Sequence, residues 1–137
     1  MSIRIKAISI GFLVFIILYF LDHVIVTVLI SSNINPAPFS VIYGYISFFI
    51  CGYLTGFVSK VAGFLNGAIV GILTPLVSII SLVWSQYDLV NILANIFEHG
   101  LFWLFIGVFC CGFGGFIWDL QTKIIKAASN QANAGDR

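Results

Sequence analysis

The chain has 137 residues, of which 61% are hydrophobic and only 8% charged, with a formal net charge of +1. A soluble domain carries roughly 25% charged residues, so a surface this poor in charge excludes an ordinary water-soluble fold. The mean hydropathy of +1.12 points to an integral membrane protein of one domain.

Arg4 and Lys6 precede the first apolar run, Ala7–Ile30. That run exceeds the roughly 7–15 residues of a signal-peptide core, and no small-x-small cleavage site follows. It is read as an uncleaved first spanning helix. Three further runs match the roughly 20 residues needed to span: Phe39–Val58, Gly63–Trp84 and Leu89–Trp118. Short connections, 31–38, 59–62 and 85–88, join them. The expectation is an all-α, four-span helical bundle over residues 1–128, with a disordered cytoplasmic tail from Ser129 to Arg137.

Four spans place Arg4, Lys6, Lys60, Lys123, Lys126 and Arg137 on one side and leave the opposite loops without Lys or Arg. This bias puts both termini in the cytoplasm of an inner-membrane protein. Trp84 and Tyr87 mark the outer interface and Trp118 the inner one. Lys123 and Lys126 read as topology anchors near lipid phosphates. No basic patch carries interleaved stacking aromatics, so no nucleic-acid partner is expected.

In the central hairpin, Gly63, Gly67 and Gly71 form GxxxGxxxG on one helix face, which continues through Thr74, Ser78 and Ser81. The preceding helix offers Ser40, Gly44, Ser47, Cys51 and Thr55, with Gly52 and Gly56 as a second GxxxG. Lipid gives helices little hydrophobic reason to associate, so close approach of small residues carries packing. This glycine zipper is expected to pack the second helix on the third; a seam between copies of the chain is the alternative. Pro75 removes a donor to the Gly71 carbonyl, which predicts a bend and a substitute donor such as Thr74. The stretch "GYLTGFVSKVAGFLNGAIVGIL" resembles the hairpin of small four-helix bacterial membrane proteins with no established activity. The resemblance implies the four-helix fold and no mechanism.

Cys51, Cys110 and Cys111 lie in apolar runs outside any CxxC spacing and read as small packing residues. The informative polar groups are two acid–histidine pairs, Asp22-His23 in "FLDHVIV" and Glu98-His99 in "NIFEHG". Counted from the outer ends of the first and fourth helices, both lie roughly 12–13 Å deep. The rows Tyr19, His23, Thr27, Ser31 and Asn91, Asn95, Glu98, His99 flank them. Polar stripes are costly against lipid, so a shared interior cluster of Asp22, His23, Asn95, Glu98 and His99 is expected. It reads as a helix–helix lock, a proton or cation path, or a metal site drawing on His23, His99, Asp22 and Glu98. Adjacent helical residues point about 100° apart, so one residue from each pair is the more credible metal donor.

No nucleophile-with-base motif and no cofactor- or phosphate-binding motif is present, so neither an enzyme nor a cofactor is expected. The leading expectation is a non-enzymatic protein that acts through another membrane protein, as accessory subunit, assembly factor or immunity-type protein. The alternative is a small oligomeric proton- or cation-coupled transporter or channel. The strong Lys/Arg bias requires its protomers to be parallel.

Overall fold

The computed structural model describes residues 3–84 and 100–135. Its secondary structure there is helical throughout, in four elements: α1 (Ile5–Ser31), α2 (Ala37–Ser59), α3 (Gly63–Trp84) and α4 (Leu101–Gly135). α1, α2 and the Leu101–Asn130 part of α4 are each long and apolar enough to cross a membrane. The stretch Gly63–Val77 of α3 is a shorter apolar helix. α4 continues to Gly135, where a disordered tail from Ser129 was expected. Ala127, Ala128, Gln131, Ala132 and Ala134 favour helix, and no proline stops it.

Neighbouring residues give the helix directions. Phe15 stacks on Phe48, and the Tyr43 hydroxyl donates to the Leu18 carbonyl at 3.2 Å, so α1 and α2 are antiparallel. Gly63, Gly67 and Gly71 meet Gly115, Cys111 and Gly107 in turn, so α3 and α4 are antiparallel as well. The result is an up-down-up-down bundle. α1 rests on α2 and α3, and α4 packs against α2 and α3 on the far side.

Two turns set these directions. After α1, the Ile34 amide donates to Leu29 and the Asn33 amide to Ile30, with Asn33 left-handed at φ 57°. This is a Schellman cap with Asn in place of Gly. Between α2 and α3, Lys60 and Ala62 are both left-handed, at φ 57° and 51°. Such a conformation costs a non-glycine residue about 1–2 kcal/mol. Asn66 offsets part of it. Its side chain, fully buried, donates to the Val61 and Ala62 carbonyls at 3.1 Å each and accepts from the Arg4 amide at 3.0 Å. One side chain therefore fixes the hairpin turn and ties it to the start of α1.

The Gly63 amide, at the first turn of α3, donates to the Asp119 carboxylate at 2.7 Å. An acceptor of negative charge suits the exposed amides of a helix start. Arg4, Lys6 and Lys60 thus gather at the end of the bundle marked by Asn66 and Asp119, and Lys123 and Lys126 lie beyond Asp119 on α4.

The small residues pack differently from the sequence expectation. The row Gly63, Gly67, Gly71 is turned toward α4, not toward α2. A Cβ on any of the three would strike the backbone of Gly107, Cys111 or Gly115. Gly52 and Gly56 of α2 also face α4, against Cys111, Gly115 and the Trp118 side chain. The reason lies in α4 itself. Gly107, Cys111 and Gly115 recur every four residues, so α4 has the smooth backbone that both glycine rows can approach. Cys51 and Thr55, one position round the helix, face α1, where Gly11 leaves room for the Thr55 hydroxyl.

α3 remains one helix through Pro75. The Gly71 carbonyl left without its usual amide accepts from the Thr74 hydroxyl at 2.8 Å.

Candidate functional site: a carboxylate at an aromatic cleft

Among the described residues, the half of the bundle away from Asn66 and Asp119 holds a cleft. It opens between α1, α2, α3 and α4, with a volume of about 260 Å³. α1 contributes Phe15, Leu18, Tyr19 and Asp22, and α2 the stretch from Ser40 to Phe48. Thr74 and Pro75 form its floor on α3, and Trp103 closes it on α4. Gly44 permits this, since a side chain there would press on the Trp103 ring.

Aromatic rings form one part of the cleft wall. Phe15 and Phe48 stack at 5.4 Å with their planes 4° apart, and Trp103 sits 6.2 Å from Phe48. Tyr19 continues the wall, 6.3 Å from Phe15. Two polar side chains of the lining are engaged elsewhere: Tyr43 donates to Leu18 and Thr74 to Gly71. Asp22 is different. It is the one ionisable acid of the lining, and its buried Oδ1 has no hydrogen-bond partner among the described residues. A buried polar atom left unpaired is costly and marks a place where something else can bind.

Asp22 and His23 do not form a joint interior site. Asp22 is half-buried at the cleft, whereas His23 is exposed, its ring stacked on Tyr19 at 6.0 Å. Adjacent positions on a helix diverge by about 100°, so only one of the two can face inward. The row Tyr19, His23, Thr27, Ser31 is likewise not an interior stripe, since His23, Thr27 and Ser31 are exposed. Their hydroxyls are satisfied locally, Thr27 donating to the His23 carbonyl at 2.8 Å and Ser31 to the Val28 carbonyl at 2.7 Å. That local bonding is why the stripe need not turn inward.

Asn91, Asn95, Glu98 and His99, the fourth-helix half of the expected cluster, lie outside the described residues. Among the described residues no group of three or more His, Cys, Asp or Glu side chains converges. Of the packing residues, Gly52, Gly56, Gly63, Gly67 and Gly71 are all buried in helix contacts, and Gly71 reaches the cleft through Thr74.

Several residues that shape the site escaped the sequence reading. Phe15, Phe48 and Trp103 are unremarkable among many apolar neighbours, and only the fold brings them together. Gly107, Cys111 and Gly115 carried a readable signal, the same four-residue spacing used to find the α3 row. Comparison with known protein families, with curated proteins and with solved structures finds no match for this chain.

Proposed function

We propose that this is a four-span inner-membrane protein with both termini in the cytoplasm, and that it binds a charged solute at Asp22 as a small cation- or proton-coupled transporter or channel. The observation that carries this reading is the Asp22 Oδ1, buried at a cleft and unpartnered among the described residues. Carboxylates inside membrane segments are expensive and face cavities or pathways. The orientation rests on the cations: Arg4, Lys6, Lys60, Lys123 and Lys126 share one end of the bundle, which positive-inside logic assigns to the cytoplasm. The cleft then belongs to the outer half. The resemblance of the 52–73 hairpin to small four-helix bacterial membrane proteins supports the four-helix count.

A second reading has its own observation. α1 is rich in apolar residues but buries only Ala7, Ile8, Gly11 and Phe15. Leu13, Ile17, Phe20, Val24 and Val28 stay exposed. A helix of another membrane protein would fit there, as an accessory or assembly role requires.

Mass spectrometry of the intact particle, released from gentle detergent, separates the two. Solute binding predicts this chain alone or with copies of itself. A stoichiometric, unrelated membrane protein in every preparation would favour the accessory role.

A further inference from the structure

The lining of the cleft narrows the kind of cation it suits, and this step rests on the reading of Asp22 as a solute-binding carboxylate. A bare metal ion needs several oxygen or nitrogen donors in a closed shell. Among the described residues that line the cleft Asp22 is the sole carboxylate, the other side-chain oxygens are the neutral hydroxyls of Tyr19, Ser40, Tyr43, Ser47 and Thr74, and no group of three or more His, Cys, Asp or Glu converges. The rest of the lining is mostly carbon: the rings of Phe15, Phe48 and Trp103, with Phe15 against Phe48 and Phe48 beside Trp103, and the aliphatic surface of Leu18, Val41 and Pro75. Aromatic faces attract a cation that has little hydration to lose, and Trp attracts it best. A carboxylate at one side of such a wall supplies the counter-charge.

Size sets a further limit. The cleft, at about 260 Å³, is smaller than the roughly 300–1,000 Å³ of sites that hold drug-sized ligands. We infer that the Asp22 cleft is a binding site for a small organic monocation of the alkylammonium class, its charged head at Asp22 and its apolar part against Phe15, Phe48 and Trp103.

The test uses the full chain in maltoside detergent, free of choline-headed lipid, which would compete. Benzyltrimethylammonium is the probe, and neopentylbenzene, the same shape with carbon in place of the charged nitrogen, is its neutral counterpart. Calorimetric titration is expected to show saturable binding of the cation, one per chain. The neutral isostere should bind at least tenfold more weakly. Asp22→Asn should weaken cation binding at least tenfold, while His23→Ala, on the outward face, leaves it unchanged. Absence of saturable cation binding overturns the inference. So does equal affinity for the isostere, or equal affinity in Asp22→Asn. Should Asp22→Asn fail to fold, the comparison of the two probes on the native chain still decides. Asp22-dependent movement of protons or inorganic cations without binding of the organic probe would sink this inference and leave the solute-binding reading standing. Loss of both would remove both.

Discussion

Gly63 and Gly115 meet backbone to backbone: a Cβ on either would strike the carbonyl oxygen of the other. The same reciprocal approach recurs at Gly71 and Gly107. α3 and α4 therefore approach backbone to backbone at three levels spread over about two turns, and Gly67 against Cys111 is the middle one. In lipid such close approach is the main source of helix association. Gly67→Leu should force the helices apart and destabilise the fold by more than the about 1–3 kcal/mol of ordinary overpacking, since the obstacle is backbone. Ile72→Ala, on an exposed face, should be mild. Unfolding in a detergent–denaturant titration measures both, and equal effects would mean that the two faces are equally free.

Thr74 and Pro75 act as a pair. Proline leaves the Gly71 carbonyl without an amide donor, and the Thr74 hydroxyl supplies one. Thr74→Val should cost about 0.6–1 kcal/mol. Pro75→Ala restores the amide, so Thr74→Val should cost less in that background. A double-mutant cycle reads the difference, and strict additivity would separate the two residues.

Asn66 serves three backbone groups from a fully buried position. Asn66→Leu fills similar space but leaves the Arg4 amide and the Val61 carbonyl unpaired, while the Ala62 carbonyl keeps the backbone amide of residue 66, a loss of about 1–3 kcal/mol. Asn66→Asp should also destabilise, because an ionised carboxylate can accept from Arg4 but cannot donate to Val61 and Ala62. Thermal denaturation in detergent compares the two. Native-like stability of Asn66→Leu would show that water replaces the side chain.

How much of this was legible in the sequence depends on the kind of signal. Helix positions were readable because apolar length is a strong constraint in lipid, and α1, α2 and α3 lie close to the expected runs. The glycine faces were readable from their spacing, but their partner was not. Spacing locates a smooth face and says nothing of which neighbour takes it; α4 won because Gly107, Cys111 and Gly115 make it equally smooth. Asp22 stood out as an acid in hydrocarbon. Its divergence from His23 was legible from the roughly 100° step between helical neighbours, but the outward turn of the polar row was not, since local hydroxyl-to-carbonyl bonds let that row face away from the interior. Asn66 and Asp119 were passed over because a capping role emerges only when distant helix ends meet.

The orientation proposed for the chain has a direct check. Reporter fusions placed after Lys126 should be cytoplasmic, and fusions within residues 31–38 should be periplasmic. A periplasmic C-terminal reporter would invert the bundle and move the Asp22 cleft to the inner half.

Asp22 is the centre of the account, and reconstitution tests it most directly. The native chain and Asp22→Asn should be placed in sealed proteoliposomes at equal density, with the fold of each verified by circular dichroism and elution volume. An imposed cation gradient should move protons or cations across vesicles carrying the native chain, read by an entrapped pH dye and by cation efflux. Asp22→Asn should reduce that movement to the level of empty vesicles, and Asp22→Glu should retain part of it. Equal flux in the native chain and in a folded Asp22→Asn, or no flux above empty vesicles in either, would contradict the claim.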